Sequence, residues 1–203
     1  MNILVACECS GRVRDAFIAQ GHDAWSCDLQ PSDTPGPHIQ EDVLSHLNDG
    51  WDMMLAFPPC TDICVSGAAH FEKKRSDGRQ QAAIEFFMEF VHAPIDMWAI
   101  ENPVGIMSRH YRKPDQIIQP WQFGDSYQKT TCLWIKNMER LVPTDIVDPG
   151  EFTVFDSGAK MSRWYADAWR LSNAERAKVR SKTFPGIAAA MADQWPGKPL
   201  PLF

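Results

Sequence analysis

Two short segments carry residue types that could do covalent chemistry. Phe57-Pro58-Pro59-Cys60-Thr61 follows an apolar run. Its two prolines force a rigid, non-helical exit that would hold the Cys60 thiol at a sheet edge rather than in the core. A nucleophilic cysteine needs that arrangement, an accessible sulfur with a fixed line of approach. The bland alternative is a buried cysteine beside a turn. Ile100-Glu101-Asn102-Pro103 closes the next apolar run. A partly buried carboxyl at Glu101 keeps its proton and can hold or protonate a ring nitrogen; its alternative is a turn carboxylate before Pro103. On consecutive strands the pair fits addition of a thiolate to carbon 6 of a pyrimidine.

A third segment, Glu8-Cys9-Ser10-Gly11-Arg12, follows the first apolar run, and Asp28 closes the second. Gly11 lets backbone come close to a ligand, and a carboxylate at Asp28 can accept hydrogen bonds from a ribose diol. The spacing is not G-x-G-x-x-G, so a dinucleotide is disfavoured.

These segments need a scaffold, and the first 135 residues supply the pattern of one. Short apolar runs alternate with helical periodicity, the signature of a mostly parallel sheet with helices on both faces. Strands are expected at residues 3–7, 24–27, 53–57 and 97–100, with closing strands at 117–118 and 131–135 and Gly124 in the turn between them. Helices are expected from Gly11 to Gly21, over 43–47 and over 80–91. Residues 61–78, polar and glycine-containing, read as a long loop. Beyond Pro143 the pattern loosens, until Ser172-Asn173-Ala174-Glu175 gives a capping box. A last helix is expected over 187–195, closed by Pro196-Gly197. Open parallel sheets bind ligands at the carboxyl ends of their strands, where all three segments fall.

Composition narrows the classes. With 44% hydrophobic and 23% charged residues over 203 positions, the chain suits one α/β domain. No apolar run is long enough to cross a bilayer. No signal peptide is visible at Met1-Asn2-Ile3-Leu4-Val5, so a cytoplasmic location is expected. The six cysteines lack paired C-x-x-C spacing, which disfavours structural zinc. A net charge of −6 argues against a protein that coats nucleic acid nonspecifically. Yet residues 158–182 hold seven basic side chains against two acidic ones, a stretch able to track phosphates or to form a solvated helix face.

Together the motifs resemble the DNA cytosine-5 methyltransferase family, in particular its compact members from phages and prophages. The segment from Phe57 to Gly67 is similar to that family's Phe-Pro-Cys-Gln segment and the turn after it, and Ile100-Glu101-Asn102-Pro103 to its Glu-Asn-Val motif. Cys9-Ser10-Gly11, Asp28 and Asp42 resemble the cofactor motifs. Leu171-Ser172-x-x-Glu175 and Phe184-Pro185-Gly186-Ile187-Ala188 are similar to the closing segments. The sequence departs from the family at Thr61, where Gln is usual. Gln128-Lys129-Thr130-Thr131-Cys132 lacks two arginines that normally help hold the flipped base, for which Lys129 or the C-terminal basic residues could substitute.

The resemblance implies a Rossmann-like, S-adenosylmethionine-dependent methyltransferase fold. Residues 1–136 would form the catalytic and cofactor-binding core, 137–170 a short target-recognition segment, and 171–203 a helical segment completing the core. It implies catalysis by Cys60 and Glu101, with S-adenosylmethionine held by Cys9, Ser10, Gly11, Asp28, Asp42, Pro58 and Pro185. DNA would be contacted by Pro59, Asn102, Gln128, Lys129, Lys73, Lys74, Arg75 and Arg163, with the target cytosine flipped out of the stack and no metal or membrane involved. The short recognition segment also admits a methyltransferase acting on RNA, single strands or a free nucleotide. A catalytically degenerate decoy that binds DNA or protein is a further alternative. Methylation of an exocyclic amine is disfavoured, because Cys60 stands where such enzymes want an aromatic residue.

Overall fold

Alternation of apolar side chains along the first strand builds two cores at once. In β1 (Asn2–Ala6), Ile3 and Val5 face one layer while Leu4 and Ala6 face the other, and all four are fully buried. A strand covered on both faces is what a parallel sheet between helix layers requires.

The computed structural model describes residues 1–158 and 160–196; Gly197 of the expected terminal turn lies outside them. After β1 come α1 (Arg12–Ala19), β2 (Asp23–Cys27), β3 (His38–Ile39) and β4 (Met53–Ala56). Next are α2 (Phe71–Ser76), α3 (Arg79–His92), β5 (Met97–Pro103) and α4 (Met107–His110). The sheet is completed by β6 (Gln116–Ile118) and β7 (Thr131–Lys136). A hairpin of β8 (Phe152–Val154) and β9 (Lys160–Ser162) precedes α5 (Arg163–Ala168), α6 (Asn173–Ser181) and α7 (Pro185–Gln194). Short 3-10 segments occupy Val43–His46, Val65–His70 and Pro120–Gln122.

The seven-stranded sheet runs β3-β2-β1-β4-β5-β7-β6. Pairs β3-β2, β2-β1, β1-β4 and β4-β5 are parallel, and β7 runs antiparallel to both of its neighbours. The chain steps outward from β1 through β2 and β3, then returns to build β4 and β5 on the other side. The switch in direction therefore falls at the carboxyl ends of β1 and β4, the place where open α/β sheets hold ligands. This is the Rossmann-like α/β architecture implied by the sequence.

On one face Val13 and Phe17 of α1 pack with Ile187 and Met191 of α7 against Ile3, Val5, Met53 and Leu55. On the other, Phe87 and Phe90 of α3 cover Leu4, Met54 and Trp134. The Phe87 and Trp134 rings meet edge to face, 5.2 Å between centroids. Each such buried aromatic contributes about 1.5–3 kcal/mol of transfer free energy.

Several boundaries differ from the sequence reading. Residues 61–78 are not a loop: a tight turn is followed by a 3-10 segment and α2. The segment carries no apolar stripe, so periodicity could not reveal it; one inward lysine, Lys74, anchors it instead. Strand β5 continues through Glu101 and Asn102 to Pro103, because β7 pairs with it that far (Glu101 opposite Leu133, Asn102 opposite Cys132). Strand β1 stops at Ala6, since Cys7 takes a left-handed backbone, φ 57°. The β8-β9 hairpin and α5 emerge from the stretch that showed no pattern. As expected, Ser172 and Glu175 cap α6 reciprocally.

Candidate active site

Cys60 sits just past β4, in a turn closed by hydrogen bonds from the amides of Ile63 (3.1 Å) and Cys64 (2.9 Å) to its carbonyl. It is half-buried and belongs to neither hydrophobic core, while Pro58 is buried and Pro59 exposed. Glu101 lies on the neighbouring strand. The two strand ends are tied by the Asn102 side chain, whose Nδ2 donates to the Pro58 carbonyl at 2.9 Å.

The loops beyond are joined as well. Val65 N–H bonds the Val104 carbonyl and Ile106 N–H the Ile63 carbonyl, each at 2.9 Å. Cys64 pairs with Gly105, where a Cβ would overlap the Ile63 carbonyl. Glycine is the residue that permits this approach. The segments after Cys60 and after Glu101 are thus one hydrogen-bonded unit.

Burial and neighbouring charges act on both groups. Burial raises the Glu101 carboxyl above its ordinary value of 4.5, opposed by the positive charge of Lys129, so the acid form is favoured. The Cys60 thiol is pushed up, first because its proton is engaged with Cys64, then by burial and by the charges of Cys64 and Glu101; Lys129 opposes this. Cys64 is pulled down, first by the hydrogen bond from Cys60, and further by Ser66 and by the Ser66 and Gly67 backbone amides, against its burial. Lys129 therefore bears on both Cys60 and Glu101. Beside it the Gln128 carbonyl accepts from Trp164 Nε1 at 3.0 Å.

The structure singles out one of the C-terminal basic residues that the sequence offered as substitutes for the missing arginines. Arg180, on α6, is close enough to Cys60 and Cys64 for their charges to act on it, while burial lowers its affinity for its own proton. Its guanidinium lies over the Tyr165 ring, 3.9 Å from the centroid, and bonds the Tyr165 hydroxyl. The only sequence signal was membership of the basic stretch.

At the ends of β1 and β2 the expected cofactor residues also gather. Cys7 is pushed up by burial and then by Asp28, Cys27 and Asp42, which places both carboxylates beside it. Glu8 is buried and raised by that burial; its Oε1 accepts from Ser10 Oγ and the Arg12 amide, while Oε2 has no hydrogen-bond partner among the described residues. Asp28 accepts from the Gln30 amide (2.9 Å) and Asp42 from the Leu44 amide (3.0 Å). The Cys9 carbonyl accepts from the Asp33 amide at 2.7 Å. Arg12 Nη1 reaches the Thr183 carbonyl at 2.9 Å, drawing the Phe184-Pro185 turn to this edge.

Three expectations are revised. Gly11, φ 74°, makes room for the protein's own Thr34 and Arg14 side chains rather than opening space to a ligand. Fully buried Arg14 in turn binds Ser26, Ser32 and Thr34, fixing the loop over residues 28–37. Lys74 is buried, with Nζ on the Thr61 carbonyl and 3.3 Å from Asp62, so it cannot reach a phosphate from there. Asn102 is buried and occupied by Pro58, which makes it a brace between strands rather than a surface contact. Lys73 and Arg75 are exposed on α2, and Arg163 is exposed but paired with Glu151.

Among the described residues no group of three or more His, Cys, Asp or Glu is placed to hold a metal ion. No described helix is long and apolar enough to cross a membrane. A surface hollow lined by Trp51, Asp52, Pro94 and Asp96 opens at the opposite, amino-terminal edge of the sheet, away from this chemistry.

No protein-family model matches the chain, and no curated protein matches it. Among solved structures it is similar to an Escherichia coli protein described as a "putative DNA modification methyltransferase" encoded within a prophage. Identity is 16% and the TM-score 0.48, over 73% of this chain and 52% of that one. The chain thus spans about half the length of that protein.

Proposed function

We infer that the chain is an S-adenosylmethionine-dependent methyltransferase acting on carbon 5 of cytosine in DNA, with Cys60 as nucleophile. The observation that carries this reading is the joining of the segments bearing Cys60 and Glu101 into one hydrogen-bonded unit at neighbouring strand ends, where burial raises the Glu101 carboxyl.

The carboxylates of Asp28 and Asp42 and the free oxygen of Glu8 suit a ligand rich in hydroxyl and amine donors and bearing positive charge. That donor set fits S-adenosylmethionine, which when bound supplies an electrophilic methyl group. Asp28, Asp42, Glu8 and the Cys9-Ser10 backbone would hold it, with Pro58 and Pro185 at its margins.

The cytosine is extruded from the stack and enters over Cys60. The sulfur forms a bond to carbon 6, and the displaced π electrons make carbon 5 nucleophilic. Glu101 donates its proton to, or holds it at, ring nitrogen 3, where negative charge develops. Once carbon 5 has taken the methyl group, loss of its proton sends the electrons back into the ring and breaks the sulfur–carbon bond. Lys73 and Arg75 on α2, with the basic side chains of α6, offer charge for phosphates.

DNA containing 5-fluorocytosine tests this, because fluorine at carbon 5 cannot leave as a proton. With cofactor present the wild type is expected to form a denaturation-resistant adduct, mapped by mass spectrometry to Cys60. Failure to form one with duplex, single-stranded DNA, RNA or the free nucleotide, despite cofactor binding, overturns the reading. Which of those four arms reacts identifies the substrate.

A further inference from the structure

Helix α6 is held to the body by charge rather than by a packed face. None of its residues is buried, and Val179, its one large aliphatic side chain, is 46% exposed. The basic side chains Arg176, Lys178, Arg180 and Lys182, the last just beyond the final turn, are held in two ways. Arg176 and Arg180 lie over the rings of Trp169 and Tyr165, 4.6 and 3.9 Å from the centroids. Lys178 and Lys182 instead share one carboxylate, Asp33, in the loop after β2. Lys178 Nζ is 2.6 Å from Oδ1 and Lys182 Nζ 2.7 Å from Oδ2. One ammonium on each oxygen of a single anion is also how the two free oxygens of a phosphodiester would be held.

The two sides of this contact differ in rigidity. The Asp33 amide donates to the Cys9 carbonyl at 2.7 Å, and its neighbours Ser32 and Thr34 are bound by fully buried Arg14. The carboxylate is therefore offered at a fixed place, and α6, with no buried residue, is the part that can yield. The Lys178 side chain is 60% exposed, so solvent and competing ions reach the pair. Ion pairs this open contribute little and are screened by salt. A polyanion that brings many phosphates at once competes well against one carboxylate.

We propose that Lys178 and Lys182 form a phosphate-binding pair for the DNA backbone, and that Asp33 fills its place in the free chain as a built-in competitor. Binding exchanges the carboxylate for a phosphate and frees α6 from the cofactor-side loop. That the phosphate belongs to DNA rests on the function proposed above; the pairing with Asp33 does not.

Fluorescence anisotropy with short labelled DNA, duplex and single-stranded in turn, tests the pair. Asp33→Asn keeps the shape and removes the charge. It is expected to bind about 3–10-fold tighter at about 0.1 M salt, the worth of two exposed ion pairs no longer competing. Adding Lys178→Gln and Lys182→Gln should remove that gain and lessen the slope of log K against log salt by about 0.9, the value of one phosphate contact. No gain in Asp33→Asn overturns the proposal. So does a gain that survives loss of both lysines, which would reflect net charge alone. The wild type supplies a check without substitution, because a carbodiimide joins a carboxylate to an amine already touching it. Peptides linking Asp33 to Lys178 or Lys182 are expected from the free chain and should fade as DNA saturates it. Their absence from the free chain, or persistence with DNA bound, also sinks the pair. DNA bound by neither wild type nor Asp33→Asn overturns the DNA reading together with the pair, whereas binding without a gain overturns the pair alone.

Discussion

The side-chain amide of Asn102 donates to the backbone carbonyl of Pro58 across 2.9 Å, and the donor is 99% buried. A proline carbonyl at the end of β4 has no ladder partner there, so this amide both satisfies it and sets the spacing between the segments bearing Cys60 and Glu101. Asn102→Ala leaves that carbonyl without its donor in a dry place, a loss of about 1–3 kcal/mol. Urea denaturation should show that loss. Asn102→Asp should be no better, since a carboxylate cannot donate to a carbonyl.

Cys60→Ser should behave oppositely. Its sulfur lies outside both cores, so the midpoint of unfolding should move by no more than about 0.5 kcal/mol. The adduct with fluorocytosine DNA should disappear. A large loss of stability would mean that the thiol is a packing group after all.

Much of the scaffold was legible because its signals are periodic. The apolar runs of β1, β2, β4 and β5 and the faces of α1 and α3 leave repeating marks, and Ser172 with Glu175 announces α6 through two side chains three positions apart. What stayed hidden depends on contacts distant in sequence. Helix α2 is held by Lys74 reaching back to Thr61, and β5 lengthens because β7 arrives to pair with it. Arg180 approaches Cys60 across 120 positions, and nothing in its local sequence could place it there. Gly11 was legible as a glycine with a purpose, but not which atoms it admits.

Glu101 links activity and stability to pH with a definite sign. Burial raises its carboxyl in the folded chain, so folded protein keeps a proton that the unfolded chain has already released. From the ordinary carboxylate value of 4.5 up to the raised value, stability therefore falls as pH rises. Glu101→Gln removes that slope: the variant should match wild type near pH 4 and exceed it near pH 8 in urea midpoints. Its methylation rate should be lower by about 10²–10⁴-fold, the usual contribution of a positioned acid. An alkaline fall in rate, expected of wild type as Glu101 loses its proton, should also be absent from the variant.

The loop over residues 28–37 is fastened through Gly11. Its backbone lies at φ 74°, and a Cβ there would overlap Thr34 Oγ1 and meet Arg14 Nη2 at 2.6 Å. Gly11→Ala combines left-handed strain of about 1–3 kcal/mol with displacement of that fastening. Faster proteolysis between residues 28 and 37, together with weaker S-adenosylmethionine binding, is the expected outcome. Unchanged cleavage there would mean that the loop is held by Lys178 and Lys182 on Asp33 instead.

Arg180 offers the sharpest separation of charge from packing. The segment at residues 128–132 has a lysine but no arginine, and a guanidinium whose charge acts on the thiols comes from α6. Tyr165 supports it from beneath, ring face to guanidinium, which fixes the plane of the fork. That positive charge favours ionisation of the nearby thiols. Its loss in Arg180→Ala should slow adduct formation by about 10–100-fold. Slower reaction alone would not distinguish a collapsed α6 from a missing charge, but the pH midpoint of Cys60 labelling does. A role in thiolate stabilisation predicts that the midpoint rises in Arg180→Ala and returns partway in Arg180→Lys, which keeps the charge and loses the planar stack. Tyr165→Leu should shift it less, because the guanidinium remains while its orientation is freed. If Arg180→Ala melts earlier yet labels with the wild-type pH profile, the arginine serves only to pack α6 against α5.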